Sequence, residues 1–251
     1  MWKLERRMNQ QFLNLLEPEK FQIENLDWLD ERTLVVTKWN WDYSLALEFQ
    51  RRCVNLLSDF PRNRVLICCN HPRVFTHGRG LQKPRKGEVL ELKDFDLSKK
   101  DSLPFPLHEI ERGGGLTFHH PGQFIFYPIV KLNPAALSLS KMIDEIFLYS
   151  REILEDWGVS ELSSENKLLG LWRGNKKLAS MGIAIEKLTT FHGMALNLFW
   201  DEEMMSALRA INPCGLEAST YSSVDQFISL PENALDKFRD QFLQKVQHGW
   251  K

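Results

Sequence analysis

The amino-acid sequence predicts an α+β fold with a mixed, largely buried central sheet flanked by helices. Strand-like and helix-like segments follow one another without a strict βαβ rhythm. The continuous apolar run at 64–69 (RVLICC) is typical of a strand that is buried on both faces. Apolar residues recur at helical spacing over 138–156, which predicts an amphipathic helix with one buried face.

Shorter patterns predict the remaining elements. Residues 34–36 and 124–130 are strand-like, and Pro128 must lie at an edge, at a bulge or where no hydrogen-bond donor is needed. The absence of glycine and proline between 42 and 60 favours a helix there. Further strand-like runs are followed by a helix that we expect to dock on the core: 168–172, 177–185 and 193–199, then the helix at about 234–248.

A length of 251 residues allows one large domain or two small ones, and we expect a single domain over residues 1–251. Hydrophobic residues make up 43% of the chain, enough for a sizeable core. The stretch 81–106 is polar and rich in breakers, so we expect a flexible surface loop. The net charge is only −1, which argues against bulk electrostatic binding to nucleic acid or to an anionic membrane.

We expect a cytoplasmic protein, because no targeting signal is recognised in the sequence and the cysteine spacing is not that of disulfides. No apolar run approaches the roughly 20 residues that span a bilayer, and the N-terminal residues lack the apolar core of a signal peptide. The four cysteines (Cys53, Cys68, Cys69 and Cys214) show no disulfide-like or CxxC spacing, which is typical of thiols in a reducing compartment.

The glycine-rich segment 112–123 (RGGGLTFHHPGQ) is the most informative feature of the chain. Glycine at this density is entropically costly, and the usual reason for it is a close approach of main chain to a ligand or another strand. Two more polar islands follow at 174–182 (GNKKLASMG) and 212–215 (NPCG). Together these segments suggest a site that contains a lysine and a cysteine, and we interpret it as an acyltransferase site.

Four motifs resemble those of the lipoyl-protein octanoyltransferases, in the lipoate and biotin protein ligase superfamily. The segment 71–79 (HPRVFTHGR) is similar to the family's HPxVxTxGR, and 112–123 is similar to RGGxxTYHGPGQ. The pair KLASMGI and FHGMALN (177–183 and 191–197) resembles KIAxIGI followed by THGxALN, and 212–215 resembles the PCG element. The motifs run in family order over roughly 64–220. The resemblance implies a lipoate/biotin protein ligase-like fold.

The resemblance also implies a reaction and its residues. An octanoyl group would pass from octanoyl-acyl carrier protein, through a thioester on Cys214, to a lysine of a lipoyl domain, with Lys177 as the partner of the cysteine. The acceptors would be the lipoyl domains of 2-oxoacid dehydrogenase complexes or the glycine cleavage H protein, and we expect a monomer without cofactor or metal. The implied substrate-binding residues are Arg112, Gly113, Gly114, Gly115, Thr117, His119, Gly122, Gln123, Ser180, Met181, Gly182, His192, Gly193, Ala195 and Asn197.

Two positions depart from the family pattern, and other interpretations stay open. His120 stands where the family usually has glycine, and Glu111 where aspartate is usual. An ATP-dependent lipoate or biotin-type ligase needs no nucleophilic cysteine, whereas an amidotransferase would use the same one. A non-catalytic lipoyl-domain binding module would have no use for the Lys177 and Cys214 pair. His119 and His120 could be structural, or metal ligands together with His71, His77 or Cys214.

Overall fold

A computed structural model describes residues 2–80, 95–133, 135–165, 169–211 and 218–250. Its strands are β1 (Asn25–Trp28), β2 (Thr33–Lys38), β3 (Arg64–Cys69), β4 (Val74–Gly80), β5 (Leu107–Glu109), β6 (Gly114–His119), β7 (Gln123–Val130), β8 (Leu162–Glu165), β9 (Gly170–Arg173), β10 (Lys176–Glu186) and β11 (Thr189–Asn197). Its α-helices are α1 (Trp2–Leu16), α2 (Tyr43–Asp59), α3 (Leu139–Asp156), α4 (Met204–Ile211) and α5 (Ala234–Gly249).

The strands form a large and a small sheet. The large sheet has eight strands in the order β1-β2-β3-β7-β11-β10-β9-β8, and the small sheet has the order β5-β4-β6. Strands β2 and β3 pair in parallel, whereas β3-β7, β7-β11 and β11-β10 are antiparallel. The expected α+β fold with a mixed central sheet is therefore confirmed.

The large sheet is covered on both faces, as the apolar run in β3 predicts. Leu66 and Cys68 face the layer formed by α3 and α5, whereas Val65, Ile67 and Cys69 face α1 and α2. This alternation follows from the period of two of a β-strand. Both neighbouring cysteines are fully buried and pack as small apolar side chains.

Helix α5 packs across the centre of the large sheet. The ring of Phe238 lies 4.8 Å from that of Phe124, and the ring of Phe242 lies 4.8 Å from that of Phe126. Aromatic pairs at this spacing add to the free energy of burial. These contacts place an aromatic layer behind β7, the strand that leaves the glycine-rich segment.

Strand β7 contains Pro128, and its place in the sheet explains how a proline is tolerated. The register between β7 and β11 pairs Gln123–Phe126 with residues 194–197, so Pro128 lies beyond that paired stretch. A proline cannot donate a main-chain hydrogen bond, which suits this position. The proline therefore occupies a place where no donor is needed on the β11 side, although β7 lies in the middle of the sheet.

The small sheet packs against α4. Phe75 of β4 and Phe118 of β6 lie in a cluster with Met204 and Leu208. Residues 95–106, the described part of the predicted 81–106 loop, include a 3₁₀ helix at 97–102, and their Phe95, Leu103 and Phe105 pack against this cluster. Residues 81–94 lie outside the described residues. Within the described part of the chain, no helix is long and apolar enough to cross a bilayer.

Candidate active site

Lys177 is the buried member of an adjacent pair of lysines at the start of β10. Its side chain is 5% exposed, and its Nζ lies 5.3 Å from the centroid of the Trp172 ring. Lys176 is only partly buried, and its Nζ donates a hydrogen bond of 2.6 Å to the carbonyl oxygen of Ser219. Strand alternation predicts that only one of the two faces inward, and the structure shows that Lys177 does.

The chain that follows the 212–215 motif is bonded to Lys177. The main-chain N–H of Ser222 donates a hydrogen bond of 3.1 Å to the carbonyl oxygen of Lys177, and Tyr221 forms a parallel bridge with the same residue. The candidate nucleophile Cys214 lies outside the described residues, as do Asn212, Pro213 and Gly215. The described chain resumes at Ala218, four positions after the cysteine.

Arg112 orders the glycine-rich segment from inside. Its side chain is buried, and its guanidinium donates to the carbonyl oxygens of Gly113, Gly115 and Thr76 at 3.0, 3.0 and 2.8 Å. A fourth bond of 2.8 Å reaches the hydroxyl of Thr76. A guanidinium only donates hydrogen bonds, so these acceptors match its geometry. The cation therefore holds β6 and β4 together at the glycines.

The glycines of the motifs lie where main chain approaches its neighbours closely. A Cβ on Gly182 would lie 2.8 Å from Cδ of Arg112, and a Cβ on Gly193 would lie 2.1 Å from the carbonyl oxygen of Phe126. A Cβ on Gly122 would lie 2.7 Å from the carbonyl oxygen of Phe199. Gly114 has φ of +84°, in the region that favours glycine. The close approach expected from the glycine density is thus between protein segments.

His119, Gln123 and Asn197 form a buried hydrogen-bond network beside the glycine-rich segment. The ring Nδ1 of His119 lies 3.0 Å from Oε1 of Gln123, whose Nε2 donates to Oδ1 of Asn197 at 2.9 Å. The amide of Asn197 in turn donates to the carbonyl oxygen of Ser222 at 2.9 Å. Asn197 thereby connects strand β11 to the segment that is bonded to Lys177.

The buried histidines of the site are held neutral. Burial lowers the pKa of His71 to about 4, that of His192 to about 3, and that of His119 well below its usual value. For His192, the nearby Arg112 cation lowers the pKa further. Burial also lowers the pKa of His120. At neutral pH these rings therefore act as polar, uncharged groups rather than as cations.

His71 and His192 are held by different contacts, His71 through its ring and His192 through its main chain. The Nδ1–H of His71 donates to the carbonyl oxygen of Trp41 at 2.7 Å, and its Nε2 accepts from the hydroxyl of Tyr127 at 3.0 Å. His192 has φ of +59°, and its main-chain N–H donates to Oε1 of Gln50 at 2.8 Å. Within the described residues, its buried Nε2 has no hydrogen-bond partner. Both histidines therefore connect the large sheet to α2 and to the segment that precedes it.

Exposure sorts the predicted substrate-binding residues into two groups. Those that solvent reaches at least partly lie on the glycine-rich segment and on β10: Gly113, Gly114, Thr117, Gly122, Ser180 and Gly182. Those that are buried support them from behind: Arg112, Gly115, His119, Gln123, Met181, His192, Gly193, Ala195 and Asn197. Only the first group is accessible to a molecule that approaches from solvent.

Two residues outside the predicted set belong to the same network. Thr76 lies between Arg112 and His119, and Ser222 lies between Asn197 and Lys177. Thr76 falls within the 71–79 motif, so the motif itself could have pointed to it. Ser222 has no such signal, because its role comes from main-chain atoms. Among the described residues, no cluster of three or more His, Cys, Asp or Glu side chains is arranged to hold a metal ion.

A family model described as the lipoyl protein ligase A/B catalytic domain matches residues 42–247. The chain belongs to this family. An octanoyltransferase from Caldicellulosiruptor bescii is 33% identical over 80% of this chain and 86% of its own length. A chloroplastic octanoyltransferase from Arabidopsis thaliana is 28% identical over 90% of this chain and 74% of its own length. The resemblance to the octanoyltransferases that the four motifs indicate is therefore confirmed.

Solved structures confirm the fold of the family. A lipoate-protein ligase A bound with ATP superposes with a TM-score of 0.58 at 15% identity, over 87% of this chain and 84% of that one. A T. acidophilum putative lipoate protein ligase with bound lipoic acid gives a TM-score of 0.56 at 15% identity, over 87% of this chain and 84% of that one. At this identity the likeness concerns the fold alone.

Proposed function

We propose that this chain is an octanoyltransferase that passes an octanoyl group from an acyl carrier protein to a lysine of a lipoyl domain, by way of a thioester on Cys214. The observation that carries the proposal is the buried Lys177, bonded through its main chain to the segment that follows the Pro-Cys-Gly motif. A buried lysine is rare in proteins because removing an ammonium from water is costly. Its bond to the segment that follows the Pro-Cys-Gly motif supports a catalytic role.

Lys177 serves first to activate the cysteine. An ordinary cysteine with a pKa of about 8.5 is only about 3% thiolate at pH 7. A neighbouring ammonium that lowers this pKa by about two units makes the thiol mostly thiolate, a gain of roughly 2.7 kcal/mol. The thiolate then attacks the carbonyl carbon of the donor thioester. The carrier leaves as a thiolate that takes up the proton of the Lys177 ammonium, so Lys177 becomes neutral and the octanoyl group stays on Cys214.

Lys177 serves next as a general base. The neutral amine of the acceptor lysine attacks the acyl-Cys214 thioester, and the sulfur leaves as a thiolate when the amide bond forms. The surplus proton on the new amide nitrogen passes to Lys177 in its neutral form, which restores the ammonium and thiolate pair. Atoms and charges therefore balance over the two steps, and no nucleotide is consumed.

The partly exposed residues of the glycine-rich segment and β10 form the proposed substrate surface. Gly113 is exposed, and the neighbouring Ser180 and Gly182 are partly so, which leaves main chain within reach of an acyl thioester. Burying about six methylenes of an octanoyl chain contributes on the order of 5 kcal/mol before losses. The buried residues behind this surface, Arg112 foremost, fix its shape.

The protein substrates and the cellular compartment follow from the proposed reaction. The donor is octanoyl-acyl carrier protein, and the acceptors are lipoyl domains of 2-oxoacid dehydrogenase complexes or the glycine cleavage H protein. We place the enzyme in the cytoplasm, because a reducing compartment keeps the required thiol free. The family match over 42–247 supports one catalytic domain across residues 1–251. We propose that it acts as a monomer.

A transfer assay with three donors tests the proposal. Purified protein is mixed with a lipoyl domain and either octanoyl-acyl carrier protein without ATP, free octanoate with ATP, or an octanoylated second carrier domain. We expect transfer from the acyl carrier protein without ATP. Transfer only with ATP and octanoate would instead indicate a ligase, and transfer only from the second domain an amidotransferase. Binding of the lipoyl domain without transfer from any donor would indicate a binding module.

A further inference from the structure

Lys177 and Trp172 lie directly opposite each other on neighbouring strands. The antiparallel register of β9 and β10 pairs Trp172 with Lys177 and Leu171 with Ala179. Side chains of directly opposite residues lie on the same face of a sheet, within contact distance. Nζ of Lys177 is accordingly 5.3 Å from the centroid of the Trp172 ring. The ammonium therefore lies over an aromatic ring that the neighbouring strand supplies.

A β-bulge at Leu178 decides which face of the sheet this pair occupies. The register shifts between Lys177 and Ala179, so β10 has one residue more than β9 at this point. Leu178 and Ala179 both pack in the core cluster formed with α3 and α5. In a regular strand, Lys177 would face the same core as Ala179, which is two positions away. The extra residue turns Lys177 to the opposite face.

The opposite face of β10 is the one that carries the proposed substrate surface. Gly182 points to this face, because a Cβ on it would lie 2.8 Å from Cδ of Arg112. Ser180 shares the face, since it lies two positions earlier in the same strand. Lys177 reaches it because of the bulge, and Trp172 lies on it as the cross-strand partner of the lysine.

Burial strengthens the contact between the ammonium and the indole. Trp172 is 6% exposed, and Lys177 is 5% exposed. The face of an aromatic ring attracts a cation, most strongly in tryptophan, and the attraction increases when water is excluded. The indole Nε1–H is buried and, among the described residues, has no hydrogen-bond partner. The contribution of Trp172 to the site is therefore the face of its ring.

We propose that Trp172 is a positioning residue for acyl transfer, whose ring holds the ammonium of Lys177 on the face of Ser180 and Gly182. The inference rests on the proposed function, which gives Lys177 its catalytic role. In the first step, the contact favours the charged form of the lysine, which stabilises the thiolate. In the second step, it favours the return of the proton to the lysine as the amide forms. Trp172 acts through Lys177 and exchanges no proton itself.

Two substitutions of Trp172 test the inference. Trp172→Leu keeps an apolar side chain and removes the aromatic ring, whereas Trp172→Phe keeps a ring. We expect Trp172→Leu to lower kcat about tenfold, the effect of losing a desolvated cation–π contact, while KM for the acyl donor stays within about twofold. Trp172→Phe should retain kcat within about threefold of the wild type. Equal losses in the two variants would overturn the inference.

Trp157→Leu is the matched control. Nζ of Lys237 lies 5.2 Å from the centroid of the Trp157 ring, which is the same kind of contact within the layer of α3 and α5. That layer covers the other face of the large sheet from Lys177. Trp157→Leu should therefore leave kcat within about twofold of the wild type. Equal losses of kcat in Trp157→Leu and Trp172→Leu would overturn the inference.

The methylene protons next to Nζ of Lys177 provide a readout that does not depend on activity. An aromatic ring shifts the NMR signals of protons over its face to lower frequency. We expect displaced lysine signals in the wild type and in Trp172→Phe, and their loss in Trp172→Leu. Lys177→Met assigns them, because they should be absent from its spectrum. Undisplaced signals in the wild type would overturn the inference, even if octanoyl transfer were intact.

The two proposals fail in different ways. If the wild type transferred no octanoyl group, the proposed function would fail and the inference with it. An active wild type whose kcat is matched by Trp172→Leu would overturn the inference alone.

Discussion

The carbonyl oxygen of Lys177 accepts a 3.1 Å hydrogen bond from the main-chain N–H of Ser222, which ties strand β10 to the chain that follows Cys214. Ser222 is itself held by the side-chain amide of Asn197 at 2.9 Å. Lys177 and the segment that follows the cysteine motif are therefore fixed to the same buried network. The two adjacent lysines differ in burial, because Lys177 is buried whereas Lys176 is partly exposed, and the consequence of this difference can be measured.

Substitution of the two lysines separates catalysis from surface charge. Lys177→Met keeps an unbranched side chain in the buried site, and we expect acyl transfer to fall by about 10²–10⁴-fold because the proposed general base is lost. Lys176→Met is the control, since its side chain is partly exposed and lies outside the proposed machinery. Steady-state transfer rates measure both. Equal losses in the two variants would contradict the role of Lys177.

Two glycines of the motifs should differ in what alanine does to stability. Gly193→Ala would place a Cβ 2.1 Å from the main-chain oxygen of Phe126, so we expect the free energy of unfolding to fall by about 3 kcal/mol or more. Gly113→Ala meets only Ile183 O at 3.9 Å, an ordinary contact. Its stability should change by less than about 0.5 kcal/mol. Urea denaturation compares them, and equal losses would show that the close approach at Gly193 is wrong.

Stability should fall as the solution becomes mildly acidic. The pKa of His71 is lowered to about 4 and that of His192 to about 3, mainly by burial, so the folded protein stays neutral where the unfolded chain takes up protons. The free energy of unfolding is therefore greatest above the unfolded pKa of about 6.5 and is lost as pH falls from there towards the folded values. At about pH 5 the loss is at most about 2 kcal/mol for each ring.

Urea unfolding at neutral pH and at about pH 5 measures this dependence. His192→Gln replaces the ring with a neutral amide and should remove that histidine's share of the slope, whatever it does to stability at neutral pH. A free energy of unfolding that is the same at both pH values in the wild type would contradict the buried neutral histidines.

Thiol labelling should distinguish Cys214 from the other cysteines. Cys53, Cys68 and Cys69 are fully buried, and burial raises the pKa of each thiol, so they should resist iodoacetamide in the folded protein. We expect peptide mapping to find native label at Cys214 alone and label at all four after unfolding. Rapid native labelling of Cys68 or Cys69 would contradict their burial.

Local patterns in the sequence predicted the elements in which burial is regular along the chain. The apolar run at 64–69 predicted β3, where nearly every side chain is buried. The helical spacing over 138–156 predicted α3, where the recurring apolar side chains are the ones that pack. Strand β6 was not predicted. It contains Gly114 and Gly115, which disfavour a strand locally, and its pairing with β4 outweighs that preference.

The site was predictable in its residue types but not in its connections. The motifs indicated Lys177 and the glycines, and the periodicity of β10 indicated that only one lysine faces inward. The buried hydrogen-bond network that includes Thr76, Asn197 and Ser222 joins β4, β11 and a later loop. No local pattern reveals contacts between side chains that are so far apart in the chain.

The most direct test of the account is the intact mass of the protein after incubation with octanoyl-acyl carrier protein, in the absence of ATP and of any lipoyl domain. The account predicts a gain of one octanoyl group in the wild type and none in Cys214→Ala, with the adduct lost when a lipoyl domain is added. A wild-type mass that stays unchanged while octanoyl transfer to the lipoyl domain still proceeds would contradict the acyl-Cys214 intermediate.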